Sequence, residues 1–349
     1  MTPADARALS ESRRWGEAGE AWDAVARAAQ QRGDGGASVE AWGAAGECWR
    51  RADRPARAKQ SLGFALGLPQ PFAHRAQLVA RLAAVLGELG EGQEAARLLQ
   101  GALAPAEGPV RAALLDTLIG NRMGFGRLAE VRPLLAQLEA LTAAGLAVAF
   151  RQGQVARLDG ALGAAEACFR GVVDALGGVE GAEAGVAAAE MELAEVAVLR
   201  GHPVEALEPF ERGRELHLAA GRRALAYRCE AGRVRASVEA GLVVACPLLE
   251  EGLALAVDRG MELLALDLGL ARGMARAAHD AEGARHDLRR ALRSADAMGA
   301  RMRGGRARLQ LVERGLVREE EGRGLLREAE ALLADHRLLA RRAAARAAE

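Results

Sequence analysis

The chain has 349 residues, with 47 basic and 47 acidic side chains, and therefore carries no net charge at neutral pH. This balance argues against a protein that binds nucleic acid or anionic membranes, since such proteins usually carry a basic excess. Half of the residues are hydrophobic, but alanine supplies much of that half and aromatic residues only 3%. Such a composition favours helix nearly everywhere and predicts an all-α protein.

The cysteines and the N-terminal segment indicate a cellular compartment. Cys48, Cys168, Cys229 and Cys246 lie far apart and lack a C-x-x-C spacing, so we interpret them as small hydrophobic side chains in a reducing environment. The N-terminal segment has no apolar core of a signal peptide, and no run of about 18 apolar residues occurs. We expect a cytoplasmic protein with no membrane insertion.

Small residues recur along the chain at a nearly constant spacing. Each opens a predicted second helix of a helix pair, and we call it the anchor. Four positions after the anchor stands a large apolar residue in eight of nine cases, Pro133 being the exception, and seven positions after it a small or β-branched one. These three positions share one helix face. The anchors, 34 to 41 residues apart, are Ala18, Ala58, Ala95, Ala129, Ala165, Ala206, Ala245, Ala284 and Gly322.

One stretch gives this repeat a family likeness. Trp42–Trp49 reads WGAAGECW and is followed by Ala58, Leu62, Ala65 and Pro69. The order W-x2-A-G-x2-W, then A-x3-L, then P, resembles the tetratricopeptide repeat. The resemblance implies a right-handed α-solenoid of antiparallel helix pairs. We expect one continuous array with approximate units 1–36, 37–70, 71–107, 108–141, 142–180, 181–221, 222–260, 261–299 and 300–349, the last including a C-terminal capping helix.

Glycines and prolines predict local breaks in this array. Residues 33–36, 176–185 and 301–305 are rich in glycine, and we expect loops there. Pro133 and Pro209 fall deeper in predicted second helices than the other prolines, so each predicts a kink or a late helix start.

Tryptophan is concentrated in the first 49 residues. Trp22, Trp42 and Trp49 match bulky repeat positions and are expected in the core. Trp15 precedes a second helix and is a candidate contact residue, since tryptophan is enriched in binding hot spots. A weaker resemblance, to SNAP-type membrane-fusion adaptors, covers about 50 residues of the first two units and rests on Trp15, Ala18, Gly19, Ala28, Ala29, Ala45, Gly46, Cys48, Ala52, Asp53 and Ala58.

A search for catalytic and metal-binding motifs gives one candidate. The P-loop, G-x-S-x-G and H-E-x-x-H patterns are absent. His279 and His286 lie seven residues apart with acidic neighbours, but Gly283 predicts a turn between them. Exposed turn histidines are therefore favoured over a metal site. We predict no cofactor, no metal and no enzymatic activity.

The resemblance also implies where a partner binds. In the family the first helix of each pair lines a concave groove. Arginines on such a wall suit bidentate binding of carboxylates, although each residue taken singly is more often an ordinary solvated side chain. The residues placed in the groove by this register are Glu47, Arg50, Arg51, Asn121, Arg122, Gln154, Arg157, Glu195, Tyr227 and Arg233.

Four functions are compatible with the sequence to different degrees. The favoured one is a non-enzymatic scaffold or adaptor that binds a partner protein or peptide in its groove. The alternative is a regulatory array that senses a peptide or small ligand and acts through another protein. Nucleic-acid binding is disfavoured, although residues 269–349 contain 18 basic and 12 acidic side chains. An enzyme would need a site that the sequence does not contain.

Overall fold

The structure, a computed structural model, describes residues 1–142 and 145–348. Over these ranges it contains α-helices and one 3-10 turn and no β-strand, which confirms the all-α prediction. None of the described helices is both long and apolar enough to cross a bilayer. The helices are α1 Pro3–Glu11, α2 Trp15–Gln31, α3 Gly35–Arg51, α4 Pro55–Leu66, α5 Phe72–Glu88, α6 Gly92–Leu103, α7 Gly108–Gly124, α8 Val131–Leu141, α9 Leu146–Leu158, α10 Leu162–Leu176, α11 Glu183–Leu199, α12 Leu207–Ala219, α13 Arg223–Glu239, α14 Pro247–Asp258, α15 Glu262–Arg276, α16 Ala281–Met298, α17 Arg301–Glu313, α18 Glu319–Leu333 and α19 Arg337–Ala348.

Short turns join these helices into pairs of an odd-numbered first helix and an even-numbered second helix, with α19 after the last pair. The contacts group into two compact units. The first unit comprises Met1–Asn121 with Asp258–Met261, and the second comprises Arg122–Val257 with residues 262–348. One continuous array of nine repeats therefore stays a prediction.

Glycine allows the turns inside the pairs to be short. Gly160 and Gly201 end α9 and α11 with φ of +78° and +84°, a left-handed conformation that costs glycine little. The residue after each glycine donates its backbone N–H five residues back: Ala161 to the Ala156 carbonyl at 2.8 Å, and His202 to that of Ala197 at 3.0 Å. This hydrogen bond closes the helix end and turns the chain towards the second helix.

Seven of the nine anchors are buried as the repeat pattern predicts. Each lies in or at the start of a second helix, and the large residue four positions later fills the space beside it. In the fifth pair, for example, Ala165 and Phe169 are fully buried and Val172 nearly so. The buried anchors are Ala18, Ala58, Ala95, Ala165, Ala206, Ala284 and Gly322.

The prediction is wrong for the anchor of the fourth pair. Ala129 is exposed, and the residues that point into the core are Val131, Leu135 and Leu138. A 3-10 turn over Leu128–Glu130 precedes α8, so the buried face lies two residues further along the chain than predicted. Pro133 consequently does not take the bulky position.

The prediction is also wrong for the anchor of the seventh pair. Ala245 is exposed because α14 begins only at Pro247. The two following repeat positions are correct, since Leu249 and Gly252 are both buried.

Pro133 and Pro209 are each the third residue of their helix, α8 and α12. The first four N–H groups of a helix have no partner within it, so a missing N–H is tolerated there. The structure therefore confirms the late start that both prolines predict.

Two of the three glycine-rich segments are loops over part of their predicted length. Gly33 turns the chain with φ +74°, but Gly35 and Gly36 already belong to α3. Residues 177–182 connect α10 to α11, whereas residues 183–185 are helical. The third prediction is wrong, because residues 301–305 form the start of α17. Gly305 is buried there, and a Cβ added to it would lie 2.7 Å from Leu333 Cγ of α18. This glycine permits a close helix–helix approach and is not a turn residue.

The first unit contains the tryptophan cluster. Trp42 and Trp49 are buried, and the Trp49 indole N–H donates to Asp23 Oδ2 at 3.0 Å. Trp22 is partly buried and donates to Ser10 Oγ at 3.2 Å. Trp15 is partly exposed, with the Arg51 guanidinium 4.7 Å from its ring centroid. Its role as a contact residue stays a prediction. The thiols of all four cysteines are free, and two of them, Cys48 and Cys229, are buried.

A candidate binding wall in the second unit

A cavity of about 380 Å³ lies within the second unit. It is lined mainly by the first helices α11, α13, α15 and α17 and by α19. A smaller cavity of about 110 Å³ extends to α9 and shares five charged residues with the larger one: Glu195, Arg235, Asp267, Arg303 and Arg306. We call the residues of α9, α11, α13, α15 and α17 that line these two cavities the inner wall.

Oppositely charged side chains on successive first helices pair across the inner wall. Arg235 Nη2 of α13 donates to Glu195 Oε1 of α11 at 2.5 Å. Arg303 of α17 holds Asp267 of α15 with two parallel hydrogen bonds, from Nε at 2.6 Å and from Nη2 at 2.9 Å. The partners are 40 and 36 residues apart in sequence, which is one repeat. The ion pairs therefore connect equivalent positions of neighbouring repeats.

A third link of this kind joins α9 to α11. Gln154 Nε2 donates to Glu192 Oε1 at 2.6 Å, across 38 residues of sequence. Arg157 Nε lies 2.8 Å from Glu192 Oε2, and both side chains are buried. The Glu192 carboxylate thus accepts a hydrogen bond from Gln154 and forms a buried ion pair with Arg157.

Burial and the surrounding arginines act in opposite directions on the wall carboxylates. Burial alone would raise the pKa of Asp267, but Arg303, Arg228 and Arg235 lower it to about 2. Burial likewise opposes the ionisation of Glu195, yet Arg235, Arg306 and Arg157 hold its pKa well below the usual range. Both carboxylates are thus ionised at neutral pH, and positive charge predominates around them.

Arg306 is the arginine of the inner wall with the longest charged contact. In the described part of the chain its one charged contact is Glu195 Oε2, 3.7 Å from Nη2, and its guanidinium donates no hydrogen bond. Burial lowers the pKa of Arg306 to about 10, with further lowering by Arg235 and Arg157. The guanidinium is therefore charged at neutral pH and lines both cavities.

Two of the sequence-predicted groove residues, Arg157 and Glu195, lie on this wall, and Gln154 lies beside it. Gln154 and Arg157 of α9 contact Glu192, while Glu195 is one helical turn further along α11 between Arg235 and Arg306.

Three others form a separate cluster in the first unit. Glu47 of α3 accepts hydrogen bonds from Arg50 Nη2 at 3.0 Å and from Arg51 Nε at 2.7 Å. Arg50 also reaches Glu88 of α5, with Nη1 3.6 Å from Oε1. These charges are therefore largely satisfied by one another.

The remaining predicted residues lie elsewhere. Arg122 Nε is 2.9 Å from Glu130 Oε2, beside the turn after α7, and Asn121 has a buried Oδ1 without a hydrogen-bond partner. Arg233 is paired with the buried Glu230 of its own helix.

Tyr227 differs from the expectation of a groove residue, because its ring lies where a Cβ on Gly252 of α14 would come within 2.8 Å. Its hydroxyl donates to Glu251 Oε1 at 2.7 Å. Tyr227 thus packs between the two helices of its pair, since α13 turns this face towards its second helix.

The two histidines considered as metal ligands lie on the surface. His279 and His286 are exposed, and no metal-binding group of histidine, cysteine and acidic side chains occurs among residues 1–142 and 145–348.

Sequence reasoning missed Arg235, Asp267, Arg303 and Arg306, four of the charged residues that define the inner wall. A usable signal was present in the chain. Opposite charges recur on first helices at a separation of one repeat, as in Glu195 with Arg235 and Asp267 with Arg303. A search for charge complementarity at the repeat spacing would have selected three of the four.

Comparison with known proteins gives a likeness in fold. Neither a protein-family profile nor a curated protein sequence matches the chain. Among solved structures it is similar to a Rap protein complexed with competence and sporulation factor, with a TM-score of 0.59 at 11% identity over 89% of this chain and 96% of that one. A tetratricopeptide repeat protein from Parabacteroides merdae ATCC 43184 gives a TM-score of 0.41 at 16% identity, over 84% and 99% of the two chains. Yeast Tom70 gives 0.34 at 12% identity, over 98% and 73%. The chain is a helical repeat protein with a tetratricopeptide-like fold.

Proposed function

We propose that the chain is an interaction protein whose second unit binds a partner protein or peptide on the inner wall. The proposal follows from one observation. Five successive first helices present paired charges to a common cavity, while the second helices carry the apolar packing. A wall of fixed charged side chains provides specific hydrogen bonds to a polar chain, which is how helical repeats commonly use their inner surface.

The solved structure with the higher fold similarity supports a peptide or small protein as the partner. That Rap protein is described as complexed with competence and sporulation factor. By analogy of fold alone, we propose that this chain also binds a peptide or small protein and acts as an adaptor without catalysis. Regulation by a captured ligand is the second candidate. It is favoured by the position of α19, whose Leu338, Leu339 and Arg342 line the cavity together with the inner wall.

Site-specific photocrosslinking tests this proposal. We would place p-benzoylphenylalanine at Leu199, which lines the cavity, and in a separate variant at Leu218, which is exposed on the second helix α12. The proposal predicts an adduct of discrete mass from position 199 in extracts of the source cells, and none from position 218.

A charge reversal on the inner wall provides the control for specificity. Arg235→Glu opposes Glu195 and should abolish the adduct from position 199, whereas Arg327→Gln, on the exposed face of α18, should leave it unchanged. Equal crosslinking from positions 199 and 218, or an adduct that survives Arg235→Glu, would refute binding at the inner wall.

A further inference from the structure

The charges that line the smaller cavity do not balance, because five arginines face three carboxylates. A surplus of positive charge is costly away from bulk water unless an anion neutralises it. The cavity is therefore electrostatically complementary to a ligand with two negative charges. The arginines are Arg157, Arg228, Arg235, Arg303 and Arg306, and the carboxylates are Glu192, Glu195 and Asp267.

Arg228 of α13 and Arg306 of α17 have the longest charged contacts of the five arginines. Arg228 Nε lies 3.4 Å from Asp267 Oδ2, and Arg306 Nη2 lies 3.7 Å from Glu195 Oε2. Both carboxylates already accept hydrogen bonds from other arginines. In the described part of the chain neither guanidinium donates a hydrogen bond of its own. Their planar N–H donors are therefore available to the oxygens of an anion.

A buried imidazole close to Arg306 also lacks a partner. His336, in the turn before α19, is 0% exposed, and neither ring nitrogen has a hydrogen-bond partner among residues 1–142 and 145–348. Burial, together with the charges of Arg306 and Arg157, lowers the pKa of His336 to about 3. The ring is thus neutral at pH 7 and has one N–H to donate. A buried donor without an acceptor is unfavourable, and an oxyanion held at Arg306 would supply the acceptor.

The size of the smaller cavity and its charge favour a phosphate group. Its volume of about 110 Å³ has room for a few water molecules, each of which takes about 30 Å³ in the liquid, and so for one tetrahedral oxyanion. A phosphate monoester carries about 1.5 to 2 negative charges at pH 7, which matches the surplus of the arginines. A carboxylate carries one negative charge and would neutralise half of it.

The larger cavity continues from the same charged residues and is apolar on the side of α15, α17 and α19. Leu270 and Met274 come from α15, Leu309 from α17 and Leu339 from α19. Its volume of about 380 Å³ is near the lower end of the range for small-molecule pockets, about 300–1,000 Å³. Inorganic phosphate gains nothing from this apolar surface, whereas an organic group attached to the phosphate would be buried there.

We propose that the two cavities together bind a phosphate monoester of a small organic molecule, with the phosphate on Arg228, Arg306 and His336 and the organic group against Leu270 and Met274. This inference rests on the second candidate function, regulation by a captured ligand, and specifies the chemical class of that ligand. The ligand connects α13, α15 and α17 with the turn that leads into α19.

Isothermal titration calorimetry with three probes tests the proposal. Hexyl phosphate, hexanoate and inorganic phosphate are each titrated into the full chain in a phosphate-free buffer at pH 7.5. Hexyl phosphate should bind about tenfold or more tightly than hexanoate, which has the weaker charge, and than inorganic phosphate, which lacks the apolar group. Equal affinity for hexyl phosphate and either of the other probes, or binding of none of them, would overturn the phosphate monoester.

Variants connect this binding to the named side chains. Arg306→Gln should weaken hexyl phosphate binding about tenfold to a hundredfold, and His336→Phe, which keeps a ring of similar size, about threefold to tenfold. Arg327→Gln, on the exposed face of α18, should leave it unchanged. Arg306→Gln should melt no lower than the wild type, since Arg235 and Arg157 repel the charge that it removes, so weaker binding will not reflect unfolding. Unchanged affinity in Arg306→Gln or in His336→Phe would refute this placement of the phosphate. Crosslinking from positions 199 and 218 measures partner binding separately, so either experiment can fail without the other.

Discussion

The contact between Gly232 and Phe210 gives the sharpest test of the helix packing. Gly232 lies in α13, and Phe210 of the preceding helix α12 is 1% exposed. A Cβ added to Gly232 would stand 2.3 Å from Phe210 Cε1 and 2.5 Å from Cζ, far inside van der Waals contact. The ring is almost fully buried, although Phe210 also borders the smaller cavity of about 110 Å³. Gly232→Ala must therefore separate α12 from α13 or force the ring out of its rotamer.

Two opposing contributions determine how much Gly232→Ala changes the free energy of unfolding. Alanine in place of glycine stabilises a helix interior by about 1 kcal/mol, whereas overpacking a filled core costs about 1–3 kcal/mol. We expect Gly232→Ala to lower the free energy of unfolding by about 1–2 kcal/mol, because the clash involves a rigid ring. Urea denaturation followed by circular dichroism measures this change.

Gly269 in α15 provides the matched control. It is also a buried helical glycine, but an added Cβ would meet no atom within 4 Å, since Gly269 borders a cavity of about 80 Å³. Gly269→Ala should therefore stabilise the protein by about 0.5–1 kcal/mol. Shortening the ring with Phe210→Leu should reduce the cost of Gly232→Ala, a non-additivity that a double-mutant cycle detects. If Gly232→Ala proved as stable as Gly269→Ala, the packing described for α12 and α13 would be wrong.

Three further predictions follow from other contacts. Asp267→Asn leaves Arg303 without its anion and should lower the free energy of unfolding by about 3–5 kcal/mol at pH 7. Because the pKa of Asp267 falls from 3.8 to about 2 on folding, the stability that its carboxylate contributes is complete above about pH 4 and is lost as the pH falls towards 2. Acid denaturation of the Asn variant should not show this loss. Burial raises the pKa of Glu88 to about 7, so its ionisation weakens the fold as the pH rises from 4.5 through 7, and Glu88→Gln should improve the melting temperature relative to wild type more at pH 8 than at pH 5. Truncation after residue 335 removes Leu339 from its cluster with Leu309 and should increase amide hydrogen exchange in α17 and α18 before any other part of the second unit, whereas uniform exchange would contradict this assignment of the cap.

The helices and their buried faces were predictable from sequence because the determinants are local. Ala165, Phe169 and Val172 lie within two turns of one helix, and their sizes alone state which face is buried. The prediction failed where a local irregularity changed the number of residues that precede the buried face of a helix. The 3-10 turn before α8 displaces the buried face by two residues, and a pattern with fixed spacing has no means of including it.

The loop prediction for the glycines of α17 was wrong for a different reason. A glycine-rich stretch is typical of a turn, and only the neighbouring helix explains why residues 301–305 are helical. Leu333 of α18 occupies the space that a side chain on Gly305 would need. Close approach between two helices is a tertiary property, so the same residue type predicts a loop from sequence and a helix contact in the fold.

The candidate site was predictable in part. The register placed Glu195 and Arg157 on first helices, but it gave no way to separate them from Arg233, whose charge is satisfied by Glu230 one turn away. Which arginine lacks a partner depends on distances between helices that are a whole repeat apart. Arg306 and Arg228 differ from Arg235 and Arg303 because their carboxylates, Glu195 and Asp267, already accept hydrogen bonds from those two arginines.

The ion pairs of the inner wall add little to the free energy of folding. Buried ion pairs such as Arg303 with Asp267 contribute little net stability, because the attraction mainly offsets the loss of hydration. Alanine, glycine and leucine already pack α15 against α16, as Gly273 does with Leu288, and an apolar inner surface would be at least as stable. A chain that instead repeats paired charges along one face, and adds an arginine beyond the number of carboxylates, gains from that face only when another molecule binds to it. The charge pattern of the wall therefore supports the proposal that this face binds a partner.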